Sequence, residues 1–478
     1  MTDAGAATPD DREGSTPGRI VGAALLGGPL LAAIVGAALA TQTELAAPAC
    51  WTAAITVLCA VWWIFEPVPL PATSLVPLAA LPLTGVLTHK EAAMAYGHHL
   101  VLLMLAGSIV ASAMEKSGAH RRVALGMVSA IGAADPKRLV LGFLVVSASL
   151  SMWMSNTATT VMLLPVALAV VDSSDDRSLS VPVLLAVAYG ASIGGSATPI
   201  GTPPNLIFMA HYVPANGEAL TFLGWMRFGL PVVVVMVPIA WWWLTRSVRG
   251  RAAITVPALG PWRSSERRVL VVFGLTALAW MTRAEPFGGW SAWLDNADFA
   301  GDSTVAVAAA VLLFVLPSGD PDRSRLLDWQ TAVKIPWGVF IMIGGGIAIG
   351  KAFGASELGP QIGHGLAFLS TWPLWVVVPA VCALATFITE VTSNTAAANV
   401  LMPILAAAAL AGDMAPLWLM LPAVLGLNHA FMLPVATAPN AIVYGTGRLT
   451  SQRMAREGLV VNLLGVVVIT VMCALLLG

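Results

Sequence analysis

Two Ser-Asn-Thr triplets, Ser155-Asn156-Thr157 and Ser393-Asn394-Thr395, lie 238 positions apart, each inside a long and otherwise apolar run. A single triplet of this kind is an ordinary turn or helix-cap sequence. Two copies at matching places call for another account. Three consecutive polar residues facing lipid would be costly, and non-helical backbone survives at membrane depth only where protein buries it or water reaches it. A turn that ends one helix and starts another leaves carbonyls unpaired on one side and N–H groups unpaired on the other. Carbonyls, hydroxyls and the Asn amide oxygen are hard ligands able to replace the hydration shell of a sodium ion. The N–H groups, with Ser and Thr donors, favour an anion at the positive end of the following helix. Both roles can share one turn.

A second pair follows at a spacing of 235, Gly201-Thr202-Pro203-Pro204-Asn205 and Ala436-Thr437-Ala438-Pro439-Asn440. Proline removes a backbone donor and disfavours α geometry in the residue before it. Alone, each segment reads as a kink of the kind common in membrane helices. Placed after a triplet in both halves of the chain, each predicts a span broken at the midplane, with carbonyls free for a cation. No Lys or Arg falls in any of the four motifs. A dianion there must be balanced by dipoles and by co-bound cations, so substrate should bind poorly until sodium is present.

Other residues draw notice for less. His429, eight positions before Thr437, is either a protonatable coupling residue or a hydrogen-bonded structural histidine. Glu390 is a membrane-embedded carboxylate three residues before the second triplet, open to holding a cation or a proton or to an interfacial structural role. His98 and His99 read as interfacial. Gly344-Gly345-Gly346 lacks the Lys-Ser/Thr of a phosphate loop and reads as close helix packing. Trp241-Trp242-Trp243 reads as an interfacial belt, and 120–133 as an amphipathic surface helix. The four cysteines (Cys50, Cys59, Cys382, Cys473) sit in or beside apolar runs and read as small buried hydrophobes. No His-Glu-x-x-His motif occurs, and no enzyme activity is expected.

The elements that must position these motifs follow from composition. Of 478 residues, 58% are hydrophobic and 10% charged, against about 25% charged in soluble domains. The net charge of -1 points to no nucleic-acid partner. Residues 1–19 are polar, expected to be disordered, and their Asp3, Asp10, Asp11 and Glu13 do not suit a secretory signal. Single spans are expected at 20–40, 50–65, 68–86, 98–114, 226–245, 269–283, 302–317, 336–353 and 457–477. Broken spans are expected at 181–211 and 416–446. The runs 139–171 and 373–411 exceed one span and predict re-entrant hairpins. The fold class is therefore all-α and polytopic, with eleven transmembrane helices plus two hairpins. A cytoplasmic N-terminus places every Lys and Arg inside except Lys90, Arg227, Arg283 and Lys351, with the acidic loop around Asp295, Asp298 and Asp302 outside. The C-terminus is then external. A first anchor at 20–48 precedes a first repeat at 49–247. A linker at 248–267 leads to a second repeat at 268–478. Ala106-Gly107-Ser108-Ile109 matches Gly344-Gly345-Gly346-Ile347 at the 238 spacing. With hairpins entering from opposite sides, the repeats are inverted, a common design in secondary transporters.

After residue 50 the chain resembles the divalent anion/sodium symporter family, which includes di- and tricarboxylate and sulfate carriers. The resemblance rests on both Ser-Asn-Thr tips, Gly201–Asn205, the run Asn428–Val443 and Ala113-Met114-Glu115-Lys116. It implies a homodimer with a dimerising scaffold and a transport domain moving like an elevator. It implies a first sodium at Ser151, Ser155, Asn156 and Gly201, and a second at Thr389, Thr392, Asn394 and Ala436. Substrate carboxylates would meet Ser155, Asn156, Thr157, Ser393, Asn394 and Thr395, with Thr202, Thr437 and Ala438 completing the site. Many relatives have Pro where this chain has Ala438, and Ser where it has Asn428. The expected function is sodium-coupled symport of C4-dicarboxylates such as succinate, malate and fumarate in the inner membrane. A sulfate carrier or a sodium-independent exchanger is the alternative.

Overall fold

The structure, a computed structural model, describes every residue except 1–15, 133–134, 173–176, 217–219, 249–259, 285–287, 295, 297–298 and 322–323. The expected disorder of 1–15 and the loop residues Asp295 and Asp298 lie outside the described residues, as do Arg12, Arg249, Arg251 and Arg323. Among the described residues the regular structure is helical throughout. Seven helices are long and apolar enough to cross a bilayer: Val21–Gln42, Ala47–Phe65, His89–Ser117, Phe222–Thr245, Trp337–Ala355, Asn394–Ala411 and Ser451–Leu477. Ser264–Met281 and Asp302–Val315 are the helices at two more of the expected spans.

Two boundaries differ from expectation. The first helix runs from Thr16 to Gln42, so the end of the polar segment is helical and the anchor is shorter than 20–48. Pro17 in its first turn is compatible with initiation. The third expected span is not one helix but two, Leu70–Thr73 and Val76–Leu83. The interruption at Ser74 is held by side chains from both flanks: Trp63 Nε1 donates to Ser74 Oγ at 3.0 Å, and Tyr96 Oη donates to the Ser74 carbonyl.

The two long polar-centred runs are hairpins. The first pairs Pro136–Ser151 with Asn156–Asp172, and the second pairs Leu374–Thr389 with Asn394–Ala411. Arms of 16 to 18 residues reach about 24–27 Å, and the tips of both pairs meet in one interior cavity. Each arm therefore enters and turns back. Asp135 caps the first entry arm by accepting from Lys137 N at 2.8 Å, with Pro136 at its first helical position. The return arms carry Pro165 and Pro403 at equivalent places.

The bases of the hairpins lie at opposite ends of the molecule. Helix Phe222–Thr245 is the ruler, about 36 Å long. Near its C-terminal end Trp241 Nε1 donates to the Lys137 carbonyl, at the base of the first hairpin. At its N-terminal end Phe222 N donates to Asp302, which lies within electrostatic reach of His99. The second hairpin's Leu410 and Ala411 share a cavity with His98 and His99. The end opposite to those histidines gathers basic residues: Lys116 pairs with Asp328 and binds the Arg325 carbonyl, while Arg122 and Arg263 pair with Glu266.

The two broken spans complete the site's frame. Ser180–Gly195 resumes as Pro203–Asn216, and Leu417–Leu427 resumes as Ala438–Tyr444. Ser180–Gly195 is buried almost throughout and lies close against the first entry arm. A Cβ on Gly194 would run into the backbone of Ala148, so only glycine allows that approach.

Candidate functional site

The hairpin tips share one hydrogen-bond device. Ser151 Oγ donates to Asn156 Oδ1 at 2.6 Å, and Thr389 Oγ1 donates to Asn394 Oδ1 at 2.5 Å. Donors and acceptors are each 238 positions apart. Each hydroxyl orients the amide and occupies one lone pair of its oxygen, which leaves the other for a cation. At the first tip Ser155 Oγ also accepts from Ala158 N at 3.1 Å. At the second, Thr392 Oγ1 donates to the Ile388 carbonyl at 3.0 Å. Gly195 lies directly behind Asn156, where a Cβ would stand 2.6 Å from Oδ1.

The breaks share a second device. Asn205 Nδ2 donates to the carbonyls of Gly195 and Thr198, at 2.9 and 2.8 Å. Asn440 Nδ2 donates to those of Ala430 and Leu433, at 3.1 and 3.0 Å. All three positions correspond at the 235 spacing. Each Asn thus spans its own gap and replaces helical bonds lost at the break. The halves are stitched together where Asn428 Nδ2 donates to Asn205 Oδ1 at 2.7 Å, and where Tyr189 Oη donates to the Phe431 carbonyl at 3.0 Å. Thr198 Oγ1 donates to the Met152 carbonyl and ties the first tip to the first break.

Glu390 is where the repeats part. Its carboxylate accepts from the backbone N–H groups of Phe431, Met432 and Leu433, at 2.8 to 3.2 Å, and from Asn462 Nδ2 at 2.6 Å. Every partner is a donor, so a carboxylate fits and both oxygens are engaged. Of the two roles open to it from sequence, the structural one matches these contacts. The position 238 residues earlier is Met152, which offers only its carbonyl.

One cavity of 820 Å³ gathers these parts. Its walls include Ser155, Asn156, Thr157, Gly201, Thr202, Thr392, Ser393, Asn394, Thr395, Ala436, Thr437 and Ala438. Ser151 and Thr389 are fully buried and stand behind their asparagines. Four helices begin at this cavity, at Asn156, Pro203, Asn394 and Ala438. Their N-terminal partial charges favour an anion. A volume of this size is in the range of small-molecule sites and exceeds what a C4 acid fills. The cavity runs from Met104, near the middle of helix His99–Ser117, past Glu115 to Lys334. It therefore extends toward the basic end.

The remaining candidates fall elsewhere. His429 is fully buried, with Nδ1 2.6 Å from the Leu425 carbonyl and its ring edge-on to Phe431, and it does not line the cavity. Gly344, Gly345 and Gly346 admit Tyr96, Ser74 and Asn399 respectively at distances that a Cβ would obstruct. The helix expected at 120–133 spans Ala119–Ile131. Trp242 is exposed, and Trp243 lies under the Arg246 guanidinium. All four cysteines are free and buried. Sequence reading assigned no task to Thr198, Tyr189 or Asn462. For Asn205 and Asn440 the signal was present, since each closes its Pro motif.

Comparison with known proteins adds an independent line. The model for the sodium:sulfate symporter transmembrane region matches residues 29–477. A sodium-dependent dicarboxylate transporter, SdcS, of Staphylococcus saprophyticus is 37% identical over 475 residues, covering 95% of this chain and 90% of that protein. SdcS of Staphylococcus aureus is 36% identical over 440 residues, covering 87% and 84%. In fold, the chain is similar to the Alcanivorax borkumensis YdaH transporter, whose crystal structure has an unusual topology. The TM-score is 0.58 at 16% identity, over 96% of this chain and 99% of that one.

Proposed function

The chain belongs to the sodium:sulfate symporter family, and on that premise we propose that it is a sodium-coupled symporter of small C4-dicarboxylates such as succinate, malate and fumarate. It is a transporter rather than an enzyme, and a multi-pass membrane protein. The observation that carries the reading is the shared cavity: two equivalent hydroxyl–asparagine tips and two asparagine-bridged breaks meet in it, and its motif residues include no Lys or Arg. The relatives' dicarboxylate specificity favours those acids over sulfate.

In this reading a first sodium is held by Ser151, Ser155, Asn156 and Gly201, and a second by Thr389, Thr392, Asn394 and Ala436. Each ion compensates one carboxylate. Ser155, Asn156 and Thr157 contact the acid from one tip, and Ser393, Asn394 and Thr395 from the other. Thr202, Thr437 and Ala438 close the site. The order follows from charge: the motif residues at the tips and breaks supply no cation, so sodium binding raises their affinity for the dianion, and reciprocally.

The N-terminus is cytoplasmic and the C-terminus external, by the gathering of basic residues at one end. Residues 49–247 and 268–478 act as the inverted halves, joined by the 248–267 linker. Transport proceeds by an elevator movement of hairpins and broken helices against helix Trp337–Ala355, whose Gly346 and Gly350 receive Asn399 and His211. A glycine face lets one body slide past the other with few side chains to clear. The working unit is a homodimer in the lipid bilayer, as the family resemblance implies.

Reconstitution into proteoliposomes tests the function. An inward sodium gradient should drive succinate accumulation, and replacing sodium with potassium should abolish it. Accumulation indifferent to the cation would overturn the reading.

A further inference from the structure

A second cavity, of 1020 Å³, lies at the end of the molecule opposite to the basic end toward which the first extends. The same two helices bound both: the first cavity touches His99–Ser117 from Met104 onward and lies beside Pro336 and Val339 at the start of Trp337–Ala355. The second takes His98 and His99 at one end of the former, and Ile347 to Ala355 at the far end of the latter. Its walls are mostly apolar. Its ionisable lining is one lysine (Lys351), four histidines (His98, His99, His211, His364) and one carboxylate (Glu91).

These groups are placed unlike ordinary surface charges. Glu91 accepts from Thr88 N and Oγ1, both at 2.8 Å, and lies within electrostatic reach of Lys351 without an ion-pair contact. Lys351, near the C-terminus of its helix, would on the plainest account only complement the helix dipole. It is, however, half-buried in a cavity, and no ion pair joins it to any described carboxylate. By contrast, Arg283, another cation at this end, is paired with Asp302. His98, His99 and His211 stand close by: the first two rings are 4.2 Å apart, and Lys351, His99 and His211 all act electrostatically on His98. His211 is 7% exposed, with Nδ1 2.8 Å from the Ile207 carbonyl and Nε2 packed against Gly350, so it lines the cavity without offering it a donor. A metal does not explain the cluster, because among the described residues no three His, Cys, Asp or Glu groups converge as ligands.

We propose that this second cavity is a sodium-independent holding site for a carboxylate anion, with Lys351 as its charged anchor and His98 and His99 as further N–H donors. Ammonium and imidazole donors set among apolar walls suit a short acid with a hydrocarbon backbone. Unlike the transport motifs, which have no cationic residue and need sodium, it has a cation of its own. The two sites are linked by one helix, Pro203–Asn216: Pro203 lines the transport cavity, and His211 lines the second, about 12 Å further along. The identity of the anion as the transported dicarboxylate rests on the function proposed above; the site itself does not.

The test uses the full-length protein in nanodiscs with Gly354→Cys as a reporter. Gly354 lines the cavity, a Cβ there meets nothing within 4 Å, and the four native cysteines are buried. The rate of modification by a methanethiosulfonate reagent is measured in sodium-free choline buffer. Succinate at millimolar concentration should slow it about fivefold, while succinamide, the uncharged isostere, should not. Lys351→Gln should remove the protection and Lys351→Arg restore it. Asn156→Ala, which damages the transport site, should leave it intact. No protection, protection equalled by succinamide, or protection that requires sodium or Asn156 would overturn the proposal. Sodium-driven uptake by the unsubstituted protein is a separate readout, so failure of the transport reading is distinguishable.

Discussion

Replacing Glu390 with Gln puts the asymmetry between the repeats to work. The wild-type carboxylate accepts from three consecutive backbone N–H groups and from Asn462, and it is 3% exposed. Gln preserves the shape but exchanges one acceptor oxygen for an NH2 group with two donors. At least one backbone N–H of the segment Phe431–Leu433 then faces another donor. Hydrogen bonds to charged groups contribute about 1.5–3 kcal/mol each, and a buried donor left unpaired costs about 1–3 kcal/mol. Losing the bonds of one oxygen should therefore cost about 3–5 kcal/mol. That segment leads directly into Ala436 and the second sodium site. If about a third of the cost reaches the ion, its affinity falls roughly tenfold. The assay is sodium-dependent succinate uptake in proteoliposomes, paired with thermal unfolding of the same protein in nanodiscs. The sodium concentration for half-maximal uptake should rise about tenfold, and the melting temperature should drop. A variant matching wild type in both would refute the view that this carboxylate shapes the second break.

Four further substitutions probe the tips and the breaks. Asn156→Ala and Asn394→Ala should each abolish sodium-driven uptake while the protein still elutes as a folded species; uptake with unchanged sodium dependence in both would remove these residues from the ion sites. Gly195→Ala should fold but lose sodium-dependent thermal stabilisation, because its Cβ would displace the Asn156 amide, 2.6 Å away; retained stabilisation by sodium would show that the amide's position is immaterial. Ala438→Pro should fold, since it falls at the first helical position where the equivalent helix of the other repeat already has Pro203; it should shift the ratio of succinate to sulfate uptake, and an unchanged ratio would place Ala438 away from the substrate.

What the sequence disclosed, and what it concealed, has a physical basis. Hairpins and broken spans were legible because polar triplets and Pro motifs interrupt apolar runs, where the membrane makes such interruptions costly. The equivalence of Ser151–Asn156 with Thr389–Asn394 was half visible: spacing located it, but the shared bond from hydroxyl to amide oxygen appears only in three dimensions. The break at Ser74 was hidden because 68–86 is apolar and carries four prolines that a membrane helix tolerates; the bonds from Trp63 and Tyr96 that stabilise the interruption come from neighbouring elements. The role of Glu390 was hidden for the same reason, as its partners lie about forty and seventy residues further along the chain. His429 attracted attention by type, and its packing outside the cavity could not be read from one helix alone.

Determining the structure of the protein by cryo-electron microscopy, with succinate present and with or without sodium, tests the whole account most directly. With sodium, density for the acid should lie between Ser155–Thr157 and Ser393–Thr395, with a cation beside each of Asn156 and Asn394, and potassium in place of sodium should empty that position. Acid density between the tips at full strength without sodium, or acid bound away from both tips, would contradict the claim that co-bound cations neutralise the substrate there.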